Sequence, residues 1–289
     1  MHVRNILASG GLAAKLFVLF LCVFQVAAEA DHGAPRHPRE FVARGRPGGQ
    51  PQRPASGGSA SAARPAGAAG PYNGPWHQRT WYSTLRKRFD EVPVDGDNGI
   101  HTEEFLDASQ SLPSFFDLLG QVAFRPARID NEQNIKKIRD YFNGHRDQAG
   151  TLQKLVQNEK NSGVSYTGSA SEALSWLART LDFTVKSLRK DLDDNKNSPP
   201  DDANPKKPLS EAFKKSYPDT LKMYHNDYQK ALFAASWDLV PARRTFYQRL
   251  AADDSAQAAS EDTEKWVSAL EKINDILSFV NQPQNRWWY

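Results

Sequence analysis

From Trp76 onward, apolar residues recur at intervals of three and four, the period of a helix rather than of a strand. Thr102-Glu-Glu-Phe-Leu opens the first such segment, with Thr102 as its expected cap. Asp130 is expected to start a long second helix, with Gln133 three residues on as in a capping box. Leu152, Leu155 and Val156 mark a third. Ala173, Leu174, Leu177, Leu181, Val185 and Leu188 form the strongest stripe, for a fourth. The polar run DDNKNSPPDDANPKKP, Asp193–Pro208, is a loop that no helix crosses. Further helices are expected around Leu221–Ala235, Arg243–Leu250 and Thr263–Val280. No stretch alternates apolar and polar residues with β-branched enrichment, and no repeat is evident, so the pattern predicts one all-α domain over 76–289.

Three polar residues sit oddly in this pattern. In DNEQNIKKI, Asp130, Asn134 and Lys137 fall within about 60° of arc on a helix, while Ile135, Ile138 and Phe142 centre roughly 100° away. A carboxylate, an amide and an ammonium thus line the border of the buried face. A capping Asp130 beside a solvated Asn134 and Lys137 is the plainer account of such a pattern. Trp176, Thr180 and Phe183 repeat the same spacing on the flank of the fourth helix. A border tryptophan is usually a large core residue with its N–H in water, but beside polar groups it also makes a platform for a sugar ring. His225 stands among Leu221, Tyr224, Tyr228 and Leu232, where a histidine is more often a satisfied core residue than a functional one.

Composition narrows the chemistry. Residues 1–79 hold nine Lys and Arg against three Asp and Glu, leaving 28 basic and 31 acidic residues in the remainder. A body with that balance lacks the clustered positive field that nucleic-acid binding needs. Residues 1–30 read as a secretory signal peptide: Arg4 and Lys15 precede LFVLFLCVF, and Ala28-Glu29-Ala30 offers a cleavage site. The apolar run is shorter than the ~20 residues a membrane span requires. Cys22 is the chain's single cysteine and lies inside this leader, so a cleaved product has no disulfide, thiolate nucleophile or zinc-thiolate site. Residues 31–75 are rich in Gly, Pro, Ala and Arg and too poor in apolar surface to offset the entropy of ordering. They read as a disordered arm.

Catalytic signatures are missing. There is no G-x-S-x-G elbow, P-loop, HExxH or dinucleotide-binding glycine pattern. His77, His101, His145 and His225 have no close pairing, so no metal site and no cofactor is expected. An Asp130–His225 acid/base pair, as in a lipid-modifying hydrolase, is conceivable but lacks a nucleophile.

The segments FLDASQSLPSFFDLLGQVAFRPARIDNEQNIKKI, ALSWLARTLDF and YHNDYQKALFAA, in that order, resemble the glycolipid transfer protein family from about Glu103 to the C-terminus. The resemblance implies a two-layer all-helical sandwich that takes one membrane lipid into an expandable apolar cavity, without catalysis or cofactor, as a monomer on a membrane surface. It implies that Asp130 meets the ceramide amide N–H and a sugar hydroxyl. Asn134 and Lys137 would hydrogen-bond the first sugar, Trp176 would stack under it, and His225 would donate to the amide carbonyl. Phe115, Phe116, Leu119, Phe124, Ile129, Phe183, Leu221 and Phe233 would line the acyl-chain cavity. Relatives that carry ceramide-1-phosphate put basic residues at the positions of Asn134 and Trp176, so those two residues point to a glycosphingolipid. Two departures stand out. Asp227 replaces a tryptophan that helps sugar-binding members dock on membranes, leaving docking to Trp237, Tyr228 or the terminal Arg-Trp-Trp-Tyr. The leader points to the secretory lumen or the exterior, whereas familiar members are cytosolic.

Overall fold

The computed structural model describes residues 76–281, and the leader, the arm and the terminal Arg286–Tyr289 lie outside them. Nine α-helices follow one another within the described residues: α1 (Thr102–Ser109), α2 (Ser111–Gly120), α3 (Arg125–Gly144), α4 (Leu152–Asn161), α5 (Ala170–Asp194), α6 (Leu209–Ser216), α7 (Asp227–Ser236), α8 (Arg243–Ala251) and α9 (Ala256–Asn281). Short 3-10 turns stand at Trp81–Thr84, Phe89–Glu91 and Trp237–Leu239. Two isolated bridges, Val94 with Ile100 and His101 with Thr151, are the only β pairing among these residues. None of these helices is long and apolar enough to cross a membrane.

Helix α5 is the axis of the packing, with α3, α4, α6 and α9 all against it. Its stripe explains why: Leu174, Leu177, Leu181 and Leu188 are all fully buried. Burying each contributes roughly 1.5–3 kcal/mol relative to exposure. Its N-terminus is fixed from outside. The carboxylate of Glu159, on α4, accepts from the backbone N–H of Ala170 and of Ser171 at 2.7 Å each, and from the Ser171 hydroxyl at 2.6 Å. A buried anion there meets otherwise unpaired N–H groups and the positive end of the helix dipole. At the other end Asp191 takes the Arg243 guanidinium at 3.0 Å and the Tyr247 hydroxyl at 2.9 Å, tying α5 to α8. Arg243 also donates to the Pro199 carbonyl at 2.9 Å, which pins the polar loop after α5.

Several expected boundaries move. His101 precedes the first residue of α1, and Thr102 lies inside the helix with its hydroxyl donating to the Ala149 carbonyl at 2.7 Å. Helix α3 begins at Arg125 because Pro126 suits a first turn, whose N–H groups have no partner within the helix. Asp130 is therefore within the helix and caps nothing, and Gln133 closes no capping box. The helix expected over Leu221–Ala235 starts only at Asp227. There Asn226 Oδ1 accepts from Gln229 N, and Gln229 Oε1 accepts from Asn226 N, each at 2.9 Å. Helix α6 was not anticipated, although Leu209, Ala212, Phe213 and Ser216 are spaced and buried as one helical face. Pro218 helps to end it by having no backbone N–H to carry the helix on, although Tyr217 before it keeps a helical backbone at φ −59°, ψ −45°.

Candidate functional site

The first half of the site lies on α3. Asp130 and Lys137 are exposed and Asn134 is half-buried. Asn134 Nδ2 donates to Asp130 Oδ2 at 3.1 Å. The protein mass behind Asp130 disfavours its charge and pushes the carboxyl up to about 6, against the Asn134 hydrogen bond and the Lys137 charge. Water at its exposed face screens part of that push. The trio is thus coupled, with an anionic acceptor, an amide and a cation in one row.

The second half joins α5 to residues 217–225. Trp176 is half-buried, nearly parallel to the His225 ring at 6.2 Å and edge-on to Tyr224 at 6.4 Å. His225 is buried, and its Nδ1 pairs with the Tyr217 hydroxyl at 3.0 Å. Burial, and then the charges of Lys230 and Arg179, push the imidazole down to about 4. Burial also pushes the Tyr217 phenol up to about 12. Both groups are therefore neutral near pH 7. We assign the phenol as donor to Nδ1, which puts the ring proton on Nε2 as the donor left over for a ligand carbonyl.

Helix α3 packs directly on α5, the helix that carries Trp176. Asp130 pairs with Asn134 and His225 with Tyr217, and no hydrogen bond joins Asp130 to His225 among the described residues. Three participants were missed. The Arg179 guanidinium lies 4.7 Å from the Trp176 ring centre and 3.7 Å from that of Tyr224. Its place one turn beyond Trp176 was a usable signal. Tyr217 and Tyr224 come from a segment whose fold no spacing announces.

The residues expected to line a cavity divide between two aromatic clusters. Phe115 packs against Trp81, Phe246 and Trp266, and Phe116 stacks on Phe124 at 6.4 Å. Leu119 is buried on the same helix, and Ile129 is half-buried. Phe183 instead meets Phe213, Tyr217, Phe233 and Trp237 at 5.6–6.5 Å. Leu221 is buried in the segment just before His225. Trp237, considered for membrane docking, is half-buried in this second cluster. A groove of about 300 Å³ lies between α5 and α9, bounded by Lys186, Arg189, Asp193, Glu271, Asn274 and Asp275. Its charged walls do not suit hydrocarbon.

The glycolipid transfer protein family profile matches residues 100–252. A glycolipid transfer protein of Aureobasidium melanogenum is 37% identical over 209 residues, covering 72% of this chain and 96% of that one. The crystal structure of HET-C2, a fungal glycolipid transfer protein, superposes with a TM-score of 0.62 at 34% identity, covering 72% of this chain and all of that one. A solved structure addressing how FAPP2 selects simple glycosphingolipids with this fold gives a TM-score of 0.59 at 27% identity, covering 70% and 94%.

Proposed function

The chain belongs to the glycolipid transfer protein family, and we propose that it binds one sugar-ceramide and carries it passively between membranes. The observation that carries this reading is the neutral, hydrogen-bonded His225–Tyr217 pair beside the Trp176 indole, above a cluster of aromatic side chains. Such a site offers an indole face and uncharged donors to a sugar and an amide. The trio on α3 adds a carboxylate acceptor.

Energetics separate the roles of the parts. A two-chain lipid carries some thirty methylenes, and at roughly 0.8 kcal/mol each their exposure costs tens of kcal/mol. A shallow groove cannot offset that, so the chains must be enclosed. Polar contacts at the mouth, at about 1–3 kcal/mol each, select the headgroup rather than drive extraction. The rings of Phe183, Tyr217, Phe233 and Trp237 touch one another, so the second cluster has to part for hydrocarbon to enter. Met223, 63% exposed between Lys222 and Tyr224, is where this mouth meets a bilayer.

The test is transfer of fluorescent glucosyl- or galactosylceramide between liposomes. Saturable transfer of intact lipid supports the reading; no transfer, or cleaved lipid by mass spectrometry, rejects it. We read residues 1–30 as a cleaved secretory leader and 31–75 as a solvated arm, which sends the carrier into the secretory pathway. N-terminal sequencing of the protein recovered from its native cells decides between that and a cytosolic protein.

A further inference from the structure

Asn131 stands out beside the trio on α3. It follows Asp130 directly, yet on the helix it points about 100° away, into the arc of Ile135, Ile138 and Phe142. Asn131 is 1% exposed. Its Nδ2 donates to the Ala127 carbonyl of its own helix at 2.7 Å, which fixes the orientation of the amide. Its Oδ1 is buried without a hydrogen-bond partner among the described residues. A buried acceptor left unmet is costly, and native proteins keep few of them. A leucine there would continue the apolar stripe at no such cost.

The neighbours of α3 show where this oxygen points. Arg128 and Arg139, about 160–180° round the helix from Asp130, bind Asp117 on α2 and Asp107 on α1. Tyr141, about 20° from Asp130, accepts a hydrogen bond from Asn158 on α4. Asn131 falls between these two sides, on the arc left for α5, which packs along α3. The oxygen therefore faces the interior, beneath the row of headgroup residues.

We propose that Asn131 Oδ1 accepts a hydrogen bond from a hydroxyl borne on a chain of the bound lipid, so that the site selects sugar-ceramides hydroxylated close to the amide. This rests on the reading of Asp130 and His225 as the groups that meet the amide and sugar. Asp130 is exposed and Asn131 is not, so a donor that reaches Oδ1 lies on the hydrocarbon side of the amide. Sugar hydroxyls stay with Asn134 and Lys137. A neutral amide oxygen suits a neutral O–H, and a chain carrying only C–H groups leaves it unmet. Sites built to meet a hydroxyl discriminate against the analogue lacking it. Two sources supply such a donor: a 2-hydroxyacyl chain and a 4-hydroxylated sphingoid base.

The experiment is competitive vesicle transfer by the full chain of three glucosylceramides: 2-hydroxyacyl, 4-hydroxysphinganine-based, and one with neither extra hydroxyl. Wild type should prefer one hydroxylated lipid by about tenfold, the effect of one well-formed hydrogen bond. The preferred arm identifies which chain carries the donor. Asn131→Leu should erase the preference while still transferring the lipid with neither hydroxyl. Asn131→Ala serves the same purpose if the leucine does not fit. Equal transfer of all three lipids by wild type overturns the proposal whatever the variants do. So does a preference that persists in the variants. Failure to transfer any of the three removes the glycolipid reading itself, and the inference with it.

Discussion

The two aromatic clusters are built from similar residues and behave as different materials. In the first, Trp81, Tyr82, Phe89, Phe105, Phe115, Phe246 and Trp266 are all buried, and polar bonds tie them to α9. Tyr82 donates to Thr263 at 2.8 Å, and Thr80 donates to the buried Asp262 at 2.7 Å. In the second, Trp176, Tyr224, Phe233 and Trp237 are only half-buried. Helix α7, which supplies Phe233, buries only Ala235 and Ser236. The first cluster is a keel, closed and cross-tied. The second is held mainly by ring contacts, with the Tyr217–His225 hydrogen bond and the Arg179 guanidinium against Trp176 and Tyr224, and the opening is expected there.

The sharpest way to break this contrast is to truncate each cluster. Trp266→Ala should cost about 3–5 kcal/mol in denaturant unfolding, while Trp237→Ala should cost clearly less and still impair lipid uptake. Equal losses of stability would remove the distinction. Arg243→Leu should cost about 3–5 kcal/mol, because it strands Asp191 as an unpaired buried charge; thermal unfolding followed by circular dichroism measures it. Trp176→Ala should abolish transfer without changing helicity, and normal transfer by this variant would displace the sugar platform.

A smaller effect concerns pH. Asp130, raised to about 6, loses its charge as pH falls through that value, whereas His225, lowered to about 4, stays neutral well below it. Glycolipid affinity should therefore decline below about pH 6, and Asp130→Asn should flatten the profile. Stability works separately. With its folded value below the unfolded one, His225 contributes stability that is present above about 6.5 and is lost as pH falls toward about 4. Asp130, raised, acts in the opposite sense, losing stability as pH rises through about 6, though screened by water. The smallest predicted change is an upward shift of the His225 titration, followed by NMR, in Arg179→Met, since that variant removes one of the charges holding the imidazole down.

The sequence made the long elements legible because their burial is periodic. The stripe on α5 reads directly, and so does the border position of Asp130, Asn134 and Lys137. What it hid depends on partners distant in the chain. Starting α3 at Asp130 gave a capping rule priority over Pro126, which opens the helix earlier. The expected helix over Leu221–Ala235 would carry His225, but the Asn226–Gln229 capping box begins α7 just after it and leaves the histidine outside any helix, where Tyr217 can reach its Nδ1. The division of Phe115 from Phe183 was equally invisible, since apolar residues on two helices read alike until the packing assigns them to different neighbours. Asn131 reads in the sequence as one more polar residue in a polar run, and only its burial and its unmet oxygen distinguish it.

The central claim is that hydrocarbon enters at the second cluster while the first stays closed. Hydrogen–deuterium exchange with and without bound galactosylceramide tests it most directly. The account predicts altered protection in α7 and residues 217–226, with the core amides of α2 and α9 unchanged. Protection that changes chiefly around Phe115 and Trp266, with α7 unaffected, would contradict it.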